Sequence, residues 1–296
     1  MAPESASWIR IRSASLAVEI DPVGAQLSVL RDRDERDLLW NGDPAVWAGR
    51  APILFPIVGM LAGGTYRLGE KRFALSRHGF ARGKKFEVVA TTSSSATFRL
   101  RSDDSTLAVY PFPFELEVSY ALASATLSVT ALVRNTGNEI LPASLGFHPA
   151  FRWPLPNGAS RAAHFIELEA DEPAPVRRIN ADGLLMPERF PTPVVQRRLA
   201  LADELFRDDV LIFDRLHSRS LRYGTEHGAK IEVRFPDATF LGLWTKPGAP
   251  FICIEPWQGV TDPVGFTGDF THKPGVFTVA PGASHSLNMG ITLRER

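Results

Sequence analysis

Three short segments set titratable side chains beside turn-forming residues: Ser76-Arg77-His78-Gly79-Phe80-Ala81-Arg82, Gly146-Phe147-His148-Pro149-Ala150-Phe151 and Ile254-Glu255-Pro256-Trp257-Gln258-Gly259. The glycine or proline next to each titratable residue ends a strand and turns the side chain toward a rim or concave face. Two histidines and a carboxylate suit proton transfer, because imidazole titrates near neutrality and a carboxylate held by cations stays ionised as a base. The same groups can ligate zinc, but the close His-x-His or His-x-x-x-His spacing common in such sites is absent, and no metal is expected. Plainer accounts exist: a solvated basic loop for His78 between Arg77 and Arg82, and a hydrogen-bonded strand cap for His148. Glu255 follows Phe251-Ile252-Cys253-Ile254 and precedes Pro-Trp, so its apolar surroundings demand a partner.

Other chemistries find less support. No Gly-x-Ser-x-Gly elbow surrounds any serine. Gly63-Gly64 leads into Thr-Tyr-Arg without the Lys-Ser/Thr of a phosphate loop, and is expected to form a hairpin turn. Cys253 is the one cysteine, which rules out an intrachain disulfide and a thiolate-cluster metal site; a small buried residue in a reducing cytoplasm is its ordinary role. Lys plus Arg equals Asp plus Glu at 33 each, with no basic run for neutralising phosphates, so nucleic acid is not an expected partner. Charged residues interrupt every apolar stretch before it could cross a bilayer, and the start, Met-Ala-Pro-Glu-Ser-Ala-Ser-Trp, lacks the basic and apolar regions of a secretory signal. A cytoplasmic protein without membrane partners is expected, its residues 1–8 a frayed start.

The elements that must position these groups are strands. Leu116, Val118, Tyr120 and Leu122 alternate with polar or small neighbours, as do Leu127, Val129, Ala131 and Val133; with a turn at 123–125 they predict an antiparallel hairpin. Further strands are predicted over 15–20, 26–30, 85–90, 96–100, 230–235, 239–244 and 284–293. With 23 Gly and 23 Pro punctuating short runs and no long amphipathic helix, the chain reads as an all-β sandwich or barrel, residues 9–296 forming one domain. The stretch 171–193, rich in proline and charge, is expected to be a long connection.

Taken in order, Pro52-Ile53-Leu54-Phe55-Pro56-Ile57-Val58-Gly59, Arg77-His78-Gly79-Phe80-Ala81-Arg82, Gly146-Phe147-His148-Pro149-Ala150-Phe151, Trp244-Thr245-Lys246-Pro247 and Ile254-Glu255-Pro256-Trp257 resemble the aldose 1-epimerase family, closest to its LacX-like branch. The match is collinear from about residue 15 to 293. The resemblance implies a galactose-mutarotase-like antiparallel β-supersandwich, a sugar site on a concave face, and no cofactor. It implies His148 as general acid, Glu255 as general base, His78 as a substrate-binding histidine, and Asp209, with Asp208 and Asp214 nearby, as the aspartate for sugar hydroxyls. Arg77 and Trp257 join the expected substrate contacts, Trp257 by stacking on the apolar face of a pyranose. One departure stands out: Met60 follows Pro-Ile-Val-Gly where an arginine is expected. Either Arg77 or Arg82 substitutes for it, or the substrate differs.

The activity implied is mutarotation: His148 protonates the ring oxygen while Glu255 takes the anomeric proton, the two flanking the C1–O5 unit, and the open aldehyde turns and recloses. The partner is then a small aldose, the protein a monomer or homodimer. A noncatalytic carbohydrate-binding β-sandwich protein is the alternative, and a glycoside hydrolase using Glu255 and Asp209 a further one.

Overall fold

The computed structural model describes residues 8–294. Of the expected frayed start 1–8, residues 1–7 lie outside the described residues; the Arg50 guanidinium sits over the Trp8 ring, 4.9 Å from its centre. Among the described residues the only α-helix is the single turn Asp104–Leu107, and everything else regular is strand or short 3-10 turn.

The two-residue periodicity produces a nine-stranded antiparallel sheet. Within it the hairpin Phe114–Ala123 and Thr126–Asn135 is flanked by Ser284–Arg294, the middle strand, on one side and Ser95–Arg101 on the other. Leu116, Val118, Leu127, Ala131 and Val133 are each fully buried on one face while their neighbours stay wet. Each such Leu or Val contributes about 1.5–3 kcal/mol of burial. The predicted turn sits where expected, with Ser124 at φ 53°. The Gly63-Gly64 expectation is corrected: these residues form a 3-10 turn entering the hairpin Thr65–Leu68 and Lys71–Ala74. The hairpin's own two-residue turn needs positive φ, which Gly69 supplies at 57°.

A six-stranded sheet packs against this one and carries two of the three sequence segments, while an isolated bridge from Phe55 to Gly79 holds the third, Ser76 to Arg82, beside it. The order Leu211–Phe213, Phe240–Trp244, Phe251–Gln258, Leu145–Phe147, Ile53–Leu54 puts Phe251–Gln258 in the middle, where Ala150–Arg152 also pairs with it. All eight residues of that strand are buried, yet its two faces differ. Ile252 and Ile254 join the main core with Val129 and Ile291. Cys253 packs with Trp40 and Ala150, and Trp257 with Leu54, Val58 and Ile212, on the opposite face. Glu255, of the same parity, faces with them.

The connection 171–193 has no strand or helix of its own. Isolated bridges Arg177 to Ile212, Ile179 to Leu185 and Leu185 to Pro263 fold it onto the Leu211–Phe213 edge, making it a wall over the second face of the six-stranded sheet.

Candidate active site

On that second face lies a cleft of about 720 Å³, open mouth included. His78, Arg77, His148, Asp209, Glu255 and Trp257 all line it. The floor is the Phe251–Gln258 strand, which presents Glu255 and Trp257 two residues apart. Next to it, Leu145–Phe147 ends at His148, where Pro149 interrupts the ladder, so the imidazole stands over the floor. Glu255 is 1% and His148 7% exposed.

The two expected catalytic groups touch: His148 Nε2 lies 3.1 Å from Glu255 Oε2. The expectation that they flank the C1–O5 unit from opposite sides is therefore corrected to a side-by-side pair. The contact is close but misaligned for a hydrogen bond. Glu255 Oε2, His148 Nδ1 and the Trp257 indole nitrogen are all buried with no hydrogen-bond partner in the protein. Buried polar atoms are rarely left so, and three at one floor mark a surface built to receive polar groups.

Burial decides the charge of the pair. It takes the His148 imidazole down from its ordinary 6.5 to about 3, Arg82 and Arg77 adding to the shift. It pushes the Glu255 carboxyl well above the carboxylate range, with Asp209 adding and the Trp257 indole opposing. Both shifts favour the neutral form of each group over the imidazolium and carboxylate, since separated charges in a dry floor are costly.

His78 is clamped by backbone: its N–H donates to Gly59 O at 2.8 Å, and Gly59 N–H donates to its Nδ1 at 3.1 Å. Nδ1 being the acceptor, the ring proton sits on Nε2. The ring lies edge-on to His148 at 5.7 Å, and burial, with His148, Arg82 and Arg77, holds it well below the imidazole range. It is half-buried at the cleft wall, not in a solvated loop. Gly79 behind it is indispensable, since a Cβ there would lie 2.2 Å from Phe55 O.

Of the three aspartates, Asp209 lines the cleft, one carboxylate oxygen accepting the Val210 N–H at 2.8 Å. Asp214 is held by Arg177 and Arg189, and Asp208 faces an outer recess. Met60 lines the wall, and its Cγ and Arg77 Nη2 converge on Gly183, where an added Cβ would lie 2.9 and 2.6 Å from them. An arginine thus lies beside Met60, brought by a different segment; Arg82 lines the cleft too.

Sequence reasoning missed four contributors, Trp47, Ile179, Gly183 and Thr261. Trp47 stacks on His148, centroids 5.1 Å apart and planes 27° apart, while Trp244 meets that imidazole edge-on at 5.8 Å. The Trp47 signal was an aromatic inside the turn-rich stretch Asn41-Gly42-Asp43-Pro44 to Gly49. Gly183 and Ile179 belong to the 171–193 connection, whose composition gave no hint of a site. Thr261 ties the walls together, its Oγ1 accepting from Met60 N–H at 2.9 Å and donating to Gly183 O at 2.5 Å.

The Trp257 ring lies between two glycines: a Cβ on Gly242 would stand 2.4 Å from its Cη2, and one on Gly146 2.7 Å from its Cδ1. Gly242→Ala is expected to push the indole off the floor, lowering stability by about 1–3 kcal/mol and weakening sugar binding. Urea unfolding and tryptophan emission check it; an unmoved midpoint with native emission refutes the sandwich.

A family model described as Aldose 1-epimerase matches residues 8–292. The chain belongs to the aldose 1-epimerase family. Among its relatives in that family, Protein LacX (plasmid) of Lactococcus lactis subsp. lactis is 33% identical over 295 residues, covering 96% of this chain and 99% of that protein. A galactose mutarotase related enzyme from Lactobacillus acidophilus superposes with a TM-score of 0.89 at 31% identity, over 97% of each chain. A galactose mutarotase-like protein from Lactobacillus casei gives 0.90 at 30% identity, over 97% of this chain and all of that one (100%). The fold of this aldose 1-epimerase family member is thus the antiparallel galactose-mutarotase-like β-sandwich.

Proposed function

We propose that this protein is an aldose 1-epimerase in activity as well as in family, interconverting the α and β anomers of a hexose or related aldose, with residues 9–296 acting as one domain. The observation that carries this reading is the His148–Glu255 pair, 3.1 Å apart at the buried floor of a cleft of monosaccharide dimensions. A binding protein has no use for two titratable groups held in contact in a dry site.

In this mechanism the sugar's anomeric hydroxyl donates to Glu255 Oε2, the carboxyl oxygen that has no hydrogen-bond partner in the protein. That hydrogen bond favours the ionised carboxylate, so the proton the pair holds passes to His148. His148 then protonates the ring oxygen as Glu255 takes the anomeric proton. The two oxygens share one carbon, so adjacent acid and base reach both. The ring opens, the aldehyde turns about C1–C2, and reversal of both transfers closes the other face. Trp47 and Trp244 fix the plane of the His148 ring; the His78 Nε2–H, Arg77 and Asp209 hold sugar hydroxyls; Trp257 offers its face and its N–H. Arg77 takes the cationic place left by Met60.

The test is NMR exchange between anomers of glucose, galactose and their 6-phosphates, with and without the protein. Accelerated exchange supports the reading and ranks the sugars. Binding without acceleration would favour the noncatalytic carbohydrate-binding alternative.

The pH dependence follows from the two opposed shifts. kcat/KM reports the free protein, whose active form carries one proton on the pair. A second proton adds only near the depressed His148 value of about 3, and the first leaves only well above the ordinary carboxylate range. The bell is therefore expected to be broad, with no break in the ordinary imidazole range near 6.5. An acid limb there would show His148 titrating as a solvated imidazole.

A further inference from the structure

Cys253 has no part in the proposed reaction and does not line the cleft, yet it is buried on the strand that forms the floor. It precedes Glu255 by two residues on the Phe251–Gln258 strand, so both side chains leave the same face. Its cross-strand partner is Ala150, two residues beyond His148. One donor atom from each of His148, Cys253 and Glu255 lies within 4.8 Å of the others, and all three residues are buried. His148 Nδ1 and Glu255 Oε2 have no hydrogen-bond partner in the protein.

We propose that His148, Cys253 and Glu255 form a site for a thiophilic divalent cation of the Zn²⁺ class, and that its occupation blocks the acid/base pair. Zinc takes thiolate sulfur at about 2.3 Å and imidazole nitrogen or carboxylate oxygen at about 2.0–2.2 Å, so ligand atoms around it stand roughly 3.5 Å apart. The donor atoms, now within 4.8 Å of one another, must draw together to reach that spacing. Thiolate and carboxylate together balance the dication, leaving the buried site without net charge; the Cys253 thiol proton and the Glu255 carboxyl proton both leave to solvent as the sulfur–metal and oxygen–metal bonds form. His148 and Glu255 line the cleft, which gives a cation its way in. A thiolate ligand selects Zn²⁺ or Cd²⁺ over Mg²⁺ or Ca²⁺, which prefer all-oxygen sites. With the imidazole nitrogen and the carboxylate oxygen engaged, neither can exchange protons with a sugar. Binding stands independently of the mutarotase reading; only the inhibition rests on it.

The test titrates the full chain with Cd²⁺ and follows the thiolate-to-cadmium charge-transfer band in the ultraviolet. Because Cys253 is the one cysteine, any such band reports this site without a variant. The expected result is a saturable one-to-one band, reversed by Zn²⁺, untouched by Mg²⁺, and weakened at least about tenfold in affinity by His148→Asn. In anomer exchange, Cys253→Ser is expected to keep the basal rate while the Zn²⁺ needed for half-inhibition rises at least about tenfold. Absence of the band, or a band unaffected by His148→Asn, overturns the site. Zn²⁺ inhibition unchanged in Cys253→Ser overturns the link to activity. If no sugar shows exchange, the mutarotase reading fails while the cadmium band still decides the site.

Discussion

Glu255→Gln is expected to lower kcat/KM for anomer exchange by roughly 10²–10⁴-fold and to leave the melting temperature at or above that of the native protein. The loss follows from chemistry: an amide of the same shape neither takes the anomeric proton nor returns one. The retained stability follows from burial. Burial raises the Glu255 value well above the ordinary 4.5 that it takes in the unfolded chain. The native state therefore binds the extra proton, and native stability is full below the unfolded value and declines as pH rises toward the folded one. Glutamine removes that dependence. Calorimetry across pH beside the NMR exchange assay checks both halves; near-normal turnover would end the assignment of Glu255 as proton acceptor, and a collapse of melting temperature at neutral pH would show that the carboxylate is ionised and paired instead.

His148→Asn is expected to lose a similar factor, roughly 10²–10⁴, because the amide keeps a polar group on the floor but carries no transferable proton. Its stability signature has the opposite sign. The folded value of His148, about 3, lies below the unfolded 6.5, so the native state binds fewer protons in that interval and native stability falls as pH drops through it. The variant is expected to be less sensitive to acid than the native protein. Combining it with Glu255→Gln should cost little more than either change alone, since the two act as one proton-exchanging unit. Multiplicative losses would mean that the groups act in separate steps.

The strands were legible because their period is unmistakable where one face is wet. Phe114–Ala123 and Thr126–Asn135 alternate buried and solvated residues, and both were predicted with their turn. The three polar segments stood out for the complementary reason: titratable residues flanked by glycine or proline in apolar runs conflict with plain core packing. Legibility stopped where local pattern ceases to carry geometry. The strand Phe251–Gln258 is buried throughout, so nothing in its alternation told which side floors a cleft. The contact of His148 with Glu255 depends on two strands pairing across more than a hundred residues. Trp47 and Gly183 reach the site from aperiodic stretches, and the arginine beside Met60 comes from Arg77, on a segment that the Pro-Ile-Val-Gly motif does not contain.

The strand order of the smaller sheet also bears on how the protein is made. Ile53–Leu54 has Leu145–Phe147 as its neighbour, and that strand in turn pairs with Phe251–Gln258, the centre of the sheet. During synthesis, at about 5–20 residues per second, the apolar residues around Phe55 must wait for partners encoded far downstream. A nascent chain ending before Gln258 lacks part of the floor of the sugar cleft. It also leaves the edges of its early strands open to other chains.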